Sequence, residues 1–184
     1  LVLRTQGIEV ETPLAFAALH RLLRPVMRLR EGLPGPQARA LRVAFGEEDG
    51  PSVEPFLVAI ATLSLLTAAA EETAVLCVVE DAHWLDPATA DALLFCARRL
   101  GADRVLVVFS ARDSAGQSFR ADGLEELVLA GLAPAAAREL LDRRLGAAPA
   151  PEVADRLIGA SGGNPLALLE LGRDGGQERR QDDD

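Results

Sequence analysis

Two continuous apolar runs stand out in the first part of the chain. The segments 74–79 and 104–110 are built on the sequences VLCVV and VLVVF, which contain no polar position. Runs of this length between polar residues predict strands that are buried on both faces of a sheet. Residues 1–3 predict a further short strand, and the weaker apolar run 124–129 predicts one more.

The segments between these apolar runs have the residue spacing of helices. Apolar residues recur there at three- and four-residue intervals, as on the buried face of a helix. Two helix starts combine a capping residue with a proline in the first turn, at Thr12-Pro13 and at Asp86-Pro87. The predicted helices span residues 13–30, 37–45, 56–70 and 87–100, and Gly101 closes the last of them.

The alternation of strands and helices predicts the sheet topology. Strands separated by helices are typical of a parallel α/β sheet. We expect residues 75–79 and 105–109 to form neighbouring parallel strands. Residues 1–4 should lie beside 75–79, on its outer edge.

After residue 131 the pattern becomes purely helical. Three segments opened by proline predict helices at 134–145, 151–160 and 165–171. The last twelve residues are polar and have no apolar face to bury, so a disordered tail is expected there. The predicted organisation is an α/β core over 1–131, a small helical module over 132–172 and the tail 173–184.

Charge and composition narrow the function classes. The net charge is −9 with a pI near 4.8, and all 19 basic residues are arginines scattered among acidic ones. This distribution argues against direct nucleic-acid contact by this segment. The apolar stretch 56–70 is interrupted by hydroxyl side chains and flanked by glutamates, which favours a core helix over a membrane span. Cys77 and Cys96 fit neither a disulfide framework nor a zinc site, so we expect core positions in a cytoplasmic protein.

The strongest chemical signal follows the first long apolar run. Residues 75–86 read VLCVVEDAHWLD, so Glu80 and Asp81 come directly after a predicted strand. Open α/β folds bind ligands at the carboxyl edge of the sheet. There, one carboxylate can hold Mg²⁺ while the next orients or deprotonates an attacking water. The alternative is a solvated strand end, because acidic residues are common wherever a strand leaves the core.

This segment resembles a known protein family. An apolar strand that ends in two acids and continues as x-His-Trp-Leu-Asp is similar to the Walker B region of the AAA-like STAND ATPases, in particular those of large LuxR-type transcriptional regulators. The resemblance implies a partial parallel-sheet P-loop NTPase core followed by a small helical lid. It also implies that Glu80 is the magnesium-side acid and Asp81 the catalytic acid, with ATP and Mg²⁺ as cofactors of the intact parent. Glu80 departs from the family's more frequent aspartate.

Two further segments fit the same resemblance. Residues 109–113, FSARD, are similar to the sensor 1 region, which implies that Arg112 reaches a γ-phosphate; a surface arginine at a strand exit is the alternative. Residues 162–168, GGNPLAL, are similar to the family's lid motif, which implies that Pro165 packs near the nucleotide base. Capping of a helix by Asn164 and Pro165 would also explain the second segment.

The sequence contains no phosphate-binding loop. A Walker A loop needs glycines and a lysine, and this chain has no lysine. In the resembled family the loop lies just before the segment that matches residues 1–9, and the first residue here is Leu1 instead of methionine. We therefore expect an N-terminal truncation that removes the loop and the first strand. That strand would lie between 105–109 and 124–129, and its loss should leave these two segments unpaired on that side or forced together across a gap.

Three function classes are compatible with these observations. The first is a nucleotide-dependent switch in a transcriptional regulator, inactive as this chain alone, whose DNA-binding domain would lie beyond Asp184; self-association of the parent is compatible with this class. The second is an interaction or scaffold domain with a degenerate nucleotide site. The third, a hydrolase built on Ser161 in a Gly-x-Ser-x-Gly sequence, is disfavoured because the serine follows a predicted helix and no histidine lies downstream. For His83, a structural or sensing position is expected.

Overall fold

The structure, a computed structural model, describes residues 1–112, 119–144 and 150–172. The predicted disordered tail, 173–184, lies outside these residues. The chain divides into two compact units, Leu1–Glu125 and Glu126–Asp184.

The first unit is built on a small parallel sheet. Its strands are β1 (Val2–Gln6), β2 (Val75–Glu80) and β3 (Val105–Phe109), in the order β1-β2-β3. Both pairings are parallel, and Leu76 of β2 lies opposite Val2 on one side and Leu106 on the other. The strands predicted at 1–4, 75–79 and 105–109, their parallel pairing and the outer position of β1 are therefore confirmed.

The described residues of the first unit form four α-helices beside this sheet. They are α1 (Ala17–Leu23), α2 (Gly35–Ala44), α3 (Pro55–Glu72) and α4 (Pro87–Ala97). The helices predicted at 37–45, 56–70 and 87–100 are confirmed with small shifts of their ends. The first unit is thus an α/β structure with a three-stranded parallel sheet.

The first predicted helix is wrong in its extent. Helix α1 begins only at Ala17, because Phe16 adopts a left-handed conformation with φ of 63°. Thr12 is not the N-cap of this helix; its hydroxyl donates a hydrogen bond to the Trp84 carbonyl at 3.3 Å. The α-helix then gives way to a 3₁₀ helix, Arg24–Gly32, next to Pro25. Proline has no N–H to donate and its ring crowds the preceding turn, so it ends regular α-helical bonding.

Helix α3 is the central element of the core. Among the described residues it is the one helix long and apolar enough to cross a membrane, with 18 residues. Val58, Leu65 and Leu66 are nevertheless completely buried and belong to the same hydrophobic core as the sheet. The Thr62 hydroxyl is also buried and donates to the Val58 carbonyl at 2.8 Å. This environment is that of a core helix, as the sequence predicts.

The two faces of the sheet differ in their burial. Leu3, Cys77 and Val79 lie on the face that packs against the helices and are completely buried. The opposite face carries apolar side chains that remain accessible, and Leu106 is 61% exposed. Parallel sheets are normally covered on both faces. The prediction of strands buried on both sides is therefore wrong for this face, which the described helices of the first unit leave uncovered.

The strand predicted at 124–129 is also wrong. Leu127, Val128 and Leu129 lie in irregular structure and are each more than three-quarters exposed. A strand forms only where another backbone supplies hydrogen-bonding partners, and the described sheet contains only β1, β2 and β3. Residues 124–129 therefore form no strand within the described part of the chain.

The second unit is helical. It contains α5 (Pro134–Arg144), α6 (Pro151–Ser161) and α7 (residues 165–172), which confirms the three helices predicted there. A small core holds these helices together and consists of Ala137, Leu141, Ala154 and Leu168. The turn between α6 and α7 is tied to the start of the unit, because Leu132 N–H donates to the Gly163 carbonyl at 2.8 Å.

Candidate functional site

The carboxyl ends of the three strands meet at one edge of the sheet. Gly7 N–H, just after β1, donates to the Glu80 carbonyl at 2.8 Å. Ser110 N–H, just after β3, donates to the Val79 carbonyl at 2.9 Å, and Ala82 N–H donates back to the Ser110 carbonyl at 2.8 Å. These backbone bonds join the three loops into one edge. The edge therefore brings together the loops that carry Glu80, Asp81 and Arg112.

Asp81 has an unusual backbone conformation. Its φ and ψ are 47° and 46°, in the left-handed region, and Phe16 is the one other non-glycine residue with positive φ in the described ranges. Its carboxylate Oδ2 accepts a hydrogen bond from Gln6 Nε2 at 2.8 Å. Aspartate tolerates this region better than most residues, but the conformation is uncommon and frequent at functional sites. The second carboxylate oxygen, Oδ1, has no hydrogen bond from any described residue.

Glu80 is the last residue of β2 and is exposed. No hydrogen bond or ion pair within the described ranges involves its carboxylate. No group of three or more His, Cys, Asp or Glu side chains that could hold a metal occurs in the same ranges. Mg²⁺ commonly takes one or two carboxylates and completes its shell with water and phosphate oxygens. The exposed Glu80 carboxylate fits such a role, whereas it does not fit an all-protein metal site.

Gln6 and Gly7 are part of this edge, and sequence reasoning did not identify them. An alanine Cβ at Gly7 would lie 2.3 Å from the Asp81 carbonyl oxygen and 2.8 Å from Leu85 N. Both of these are backbone atoms, which cannot rotate away. The absence of a side chain at position 7 therefore lets the loop after β2 pack directly on the end of β1. A glycine immediately after a predicted strand is the signal that could have found it.

Replacing Gly7 with alanine should therefore displace the loop that carries the acidic pair. We expect Gly7→Ala to lower the free energy of unfolding by about 2 kcal/mol, since an added methyl group here overlaps backbone atoms. Gly101→Ala is the matched control, because a Cβ there would meet no atom within 4 Å. Urea denaturation followed by circular dichroism measures both. A Gly7→Ala protein as stable as Gly101→Ala would contradict the close packing of this loop.

Arg112 is exposed, and its backbone contacts the loop after β2. Its N–H donates to Nδ1 of His83 at 3.3 Å. The His83 ring lies beside the Trp84 ring, with 5.2 Å between the centroids. The edge therefore joins Arg112 to the acidic pair through a histidine for which the sequence indicated only a structural or sensing position.

Asp86, the predicted cap of α4, is buried with 2% of its surface exposed. Its Oδ1 accepts from Thr89 N–H at 2.8 Å, which confirms the predicted cap of α4. The carboxylate also accepts from Phe16 N–H at 2.9 Å and from the Thr89 hydroxyl at 2.6 Å. Asp86 is therefore committed to holding α4 and the start of α1, and its charge is not presented to a ligand.

The two cysteines and Ser161 lie in surroundings that give them structural roles. Burial raises the pKa of the Cys77 and Cys96 thiols to about 12, so both are inert core residues at neutral pH. Ser161 ends α6, and its hydroxyl donates to the Ile158 carbonyl at 3.0 Å. The hydrolase reading is thereby disfavoured further, since a nucleophile elbow joins a strand to a helix.

Pro165 belongs to the second unit. It is the exposed first residue of α7. Asn164 caps this helix, because its Oδ1 accepts from Leu166 N–H at 3.0 Å and from Ala167 N–H at 3.1 Å. The predicted helix start is confirmed. The contact between Pro165 and a base stays a prediction.

Comparisons with known proteins give no match: no family model, curated protein or solved structure is similar to this chain at a significant level. The functional assignment therefore depends on the residues and the geometry of the sheet edge.

Proposed function

We propose that this chain is part of a nucleotide-dependent switch of the STAND ATPase class, within a cytoplasmic transcriptional regulator. The observation that carries the proposal is the left-handed Asp81, which lies beside Glu80 at the carboxyl edge of a parallel sheet. A solvated strand end does not require a strained residue at this point. Such residues are concentrated at active sites and switch regions.

Asp81 would act on the water that attacks the terminal phosphate. Gln6 engages Oδ2 and so fixes the orientation of the carboxylate. The oxygen Oδ1 then remains to accept a hydrogen bond from the water and to take its proton. The short side chain and the fixed backbone of Asp81 would keep this oxygen in place between cycles.

Glu80 would hold Mg²⁺, which neutralises charge on the phosphates and orients their oxygens. Arg112, exposed after β3, would meet the γ-phosphate. Nucleotide binding and slow hydrolysis would then exchange the parent protein between two conformations.

A non-enzymatic interaction domain is the second candidate. It is favoured by the uncovered face of the sheet, where Val2, Leu106 and Val108 are between 44% and 61% exposed. Exposed apolar patches commonly mark surfaces that another protein element covers. The absence of lysine from the chain is compatible with this candidate as well.

Nucleotide binding tests the proposal. Most affinity for a triphosphate comes from backbone N–H groups and one lysine around the phosphates, and this chain has no lysine. We expect the 184-residue chain to bind Mg-ATP with a Kd on the order of millimolar or weaker. The chain extended upstream with its own coding sequence should bind at about micromolar Kd.

Isothermal titration calorimetry of the two proteins distinguishes the candidates. Micromolar binding by the extended protein alone supports the switch. Failure of the extended protein to bind would favour the interaction domain. Micromolar binding by the 184-residue chain itself would contradict the proposed source of the affinity.

A further inference from the structure

His83 joins the loop after β2 to the loop after β3. Its Nδ1 accepts the hydrogen bond from Arg112 N–H at 3.3 Å. A backbone bond runs in parallel, from Ala82 N–H to the Ser110 carbonyl at 2.8 Å. The backbone bond would persist with any side chain at position 83, whereas the bond to Arg112 requires an acceptor there. The side chain thus adds one specific constraint on the segment that carries the Arg112 guanidinium.

The position of the imidazole depends on Asp81. His83 lies in a short 3₁₀ turn, Ala82–Trp84, whose preceding residue is the left-handed Asp81. The ring is half-buried, packs beside Trp84 and lines a cleft of about 340 Å³ together with Asp91 and Arg120. A neutral imidazole that accepts a hydrogen bond at Nδ1 carries its proton on Nε2. The turn that begins at Asp81 therefore sets the position of both the Asp81 carboxylate and the His83 imidazole, which accepts from Arg112.

We propose that His83 is a positioning residue that holds Arg112 in register with the acidic pair. A change in the backbone at Asp81 would move His83 and thereby the loop after β3. The guanidinium of Arg112 and the carboxylate of Asp81 would then respond together to one terminal phosphate. The identity of that ligand rests on the proposed function, but the link between the two loops does not.

The link can be tested in the 184-residue chain without nucleotide. Asparagine carries an oxygen close to the position of Nδ1, so His83→Asn keeps an acceptor for Arg112 N–H, while His83→Ala removes it. We expect the Arg112 amide to exchange with solvent about 10-fold faster in His83→Ala than in the parent chain, and His83→Asn to restore most of the protection. Long-range ¹H–¹⁵N spectra should show His83 protonated at Nε2.

His20→Asn serves as the control for these spectra. His20 is the chain's other histidine and packs against Phe45, with 4.8 Å between the ring centroids. Its replacement should leave the exchange of the Arg112 amide unchanged. Protonation of His83 at Nδ1, or equal Arg112 exchange in His83→Ala and the parent chain, would overturn the proposal.

A second readout concerns the intact protein. If Arg112 reports the γ-phosphate, His83→Ala should reduce the preference for ATP over ADP about as much as Arg112→Ala does, and His83→Asn should retain it. A structural role alone would lower the affinity for both nucleotides equally, and that outcome would overturn the positioning role. Failure of the intact protein to bind ATP would refute the proposed function instead, and the amide-exchange experiment would still decide the link between the loops.

Discussion

Replacing Asp86 with alanine is expected to lower the free energy of unfolding by about 4 kcal/mol. The carboxylate accepts three hydrogen bonds, from Phe16 N–H, Thr89 N–H and the Thr89 hydroxyl, and it is almost completely buried. Alanine would remove the cap of α4, which alone is worth about 1 kcal/mol. It would also leave Phe16 N–H without its partner, and an unsatisfied buried donor costs about 1–3 kcal/mol.

Two further variants make this prediction specific. Asp86→Asn keeps the oxygen that accepts from the two backbone N–H groups, so its loss should be about half as large. Asp91→Ala removes an exposed carboxylate from the same helix and should change stability by less than about 0.5 kcal/mol. Urea denaturation at neutral pH gives the three values. Equal stability of Asp86→Ala and Asp91→Ala would show that Asp86 does not connect α4 to the start of α1.

Replacing Asp81 with asparagine should reduce ATP hydrolysis by the intact protein by about 10²-fold, the scale of general-base catalysis. The expected effect is on the reaction and not on the fold, for two reasons. Asparagine tolerates the left-handed backbone as well as aspartate does. Its carbonyl oxygen can still accept the hydrogen bond that Gln6 donates to Asp81. Nucleotide affinity should therefore be retained.

Two comparisons separate the roles of the neighbouring acids. Glu80→Gln should weaken the Mg²⁺ dependence of nucleotide binding, because it removes the exposed charge proposed to hold the ion. Asp103→Asn is the control, since Asp103 precedes β3 and so lies toward the opposite edge of the sheet. Steady-state turnover and binding at several Mg²⁺ concentrations measure these effects. Unchanged turnover in both Asp81→Asn and Glu80→Gln would mean that the pair is only a strand end.

Several elements follow from the sequence because their signals are local. Strands β2 and β3 contain the runs VLCVV and VLVVF, which have no polar position, and continuous apolar runs of this length favour strands of a sheet. The starts of α4 and α7 follow from Asp86 and Asn164, whose side chains cap helices only a few residues away. The position of Glu80 and Asp81 at the carboxyl edge follows from the parallel order of the strands.

Two predictions from the sequence were wrong, and in both segments the local structure depends on residues far away in the chain. The first helix starts late, and its left-handed Phe16 donates its N–H to Asp86, which is 70 residues away in the sequence. The apolar run 124–129 forms no strand, because strand propensity is realised only beside a partner backbone. No pattern within either segment reports the presence or absence of that partner.

The candidate site also has some features that follow from the sequence and others that depend on the tertiary structure. The sequence by itself determined which residues end the strands, since hydrophobic runs and acidic residues are properties of neighbouring positions. Only the tertiary structure decided that the backbone of Asp81 is left-handed, that the loop after β2 packs against Gly7 and that His83 contacts Arg112. Each of these features joins segments that lie far apart in the chain or depends on how closely their backbones approach. Packing sets such distances, and it depends on all the surrounding side chains together.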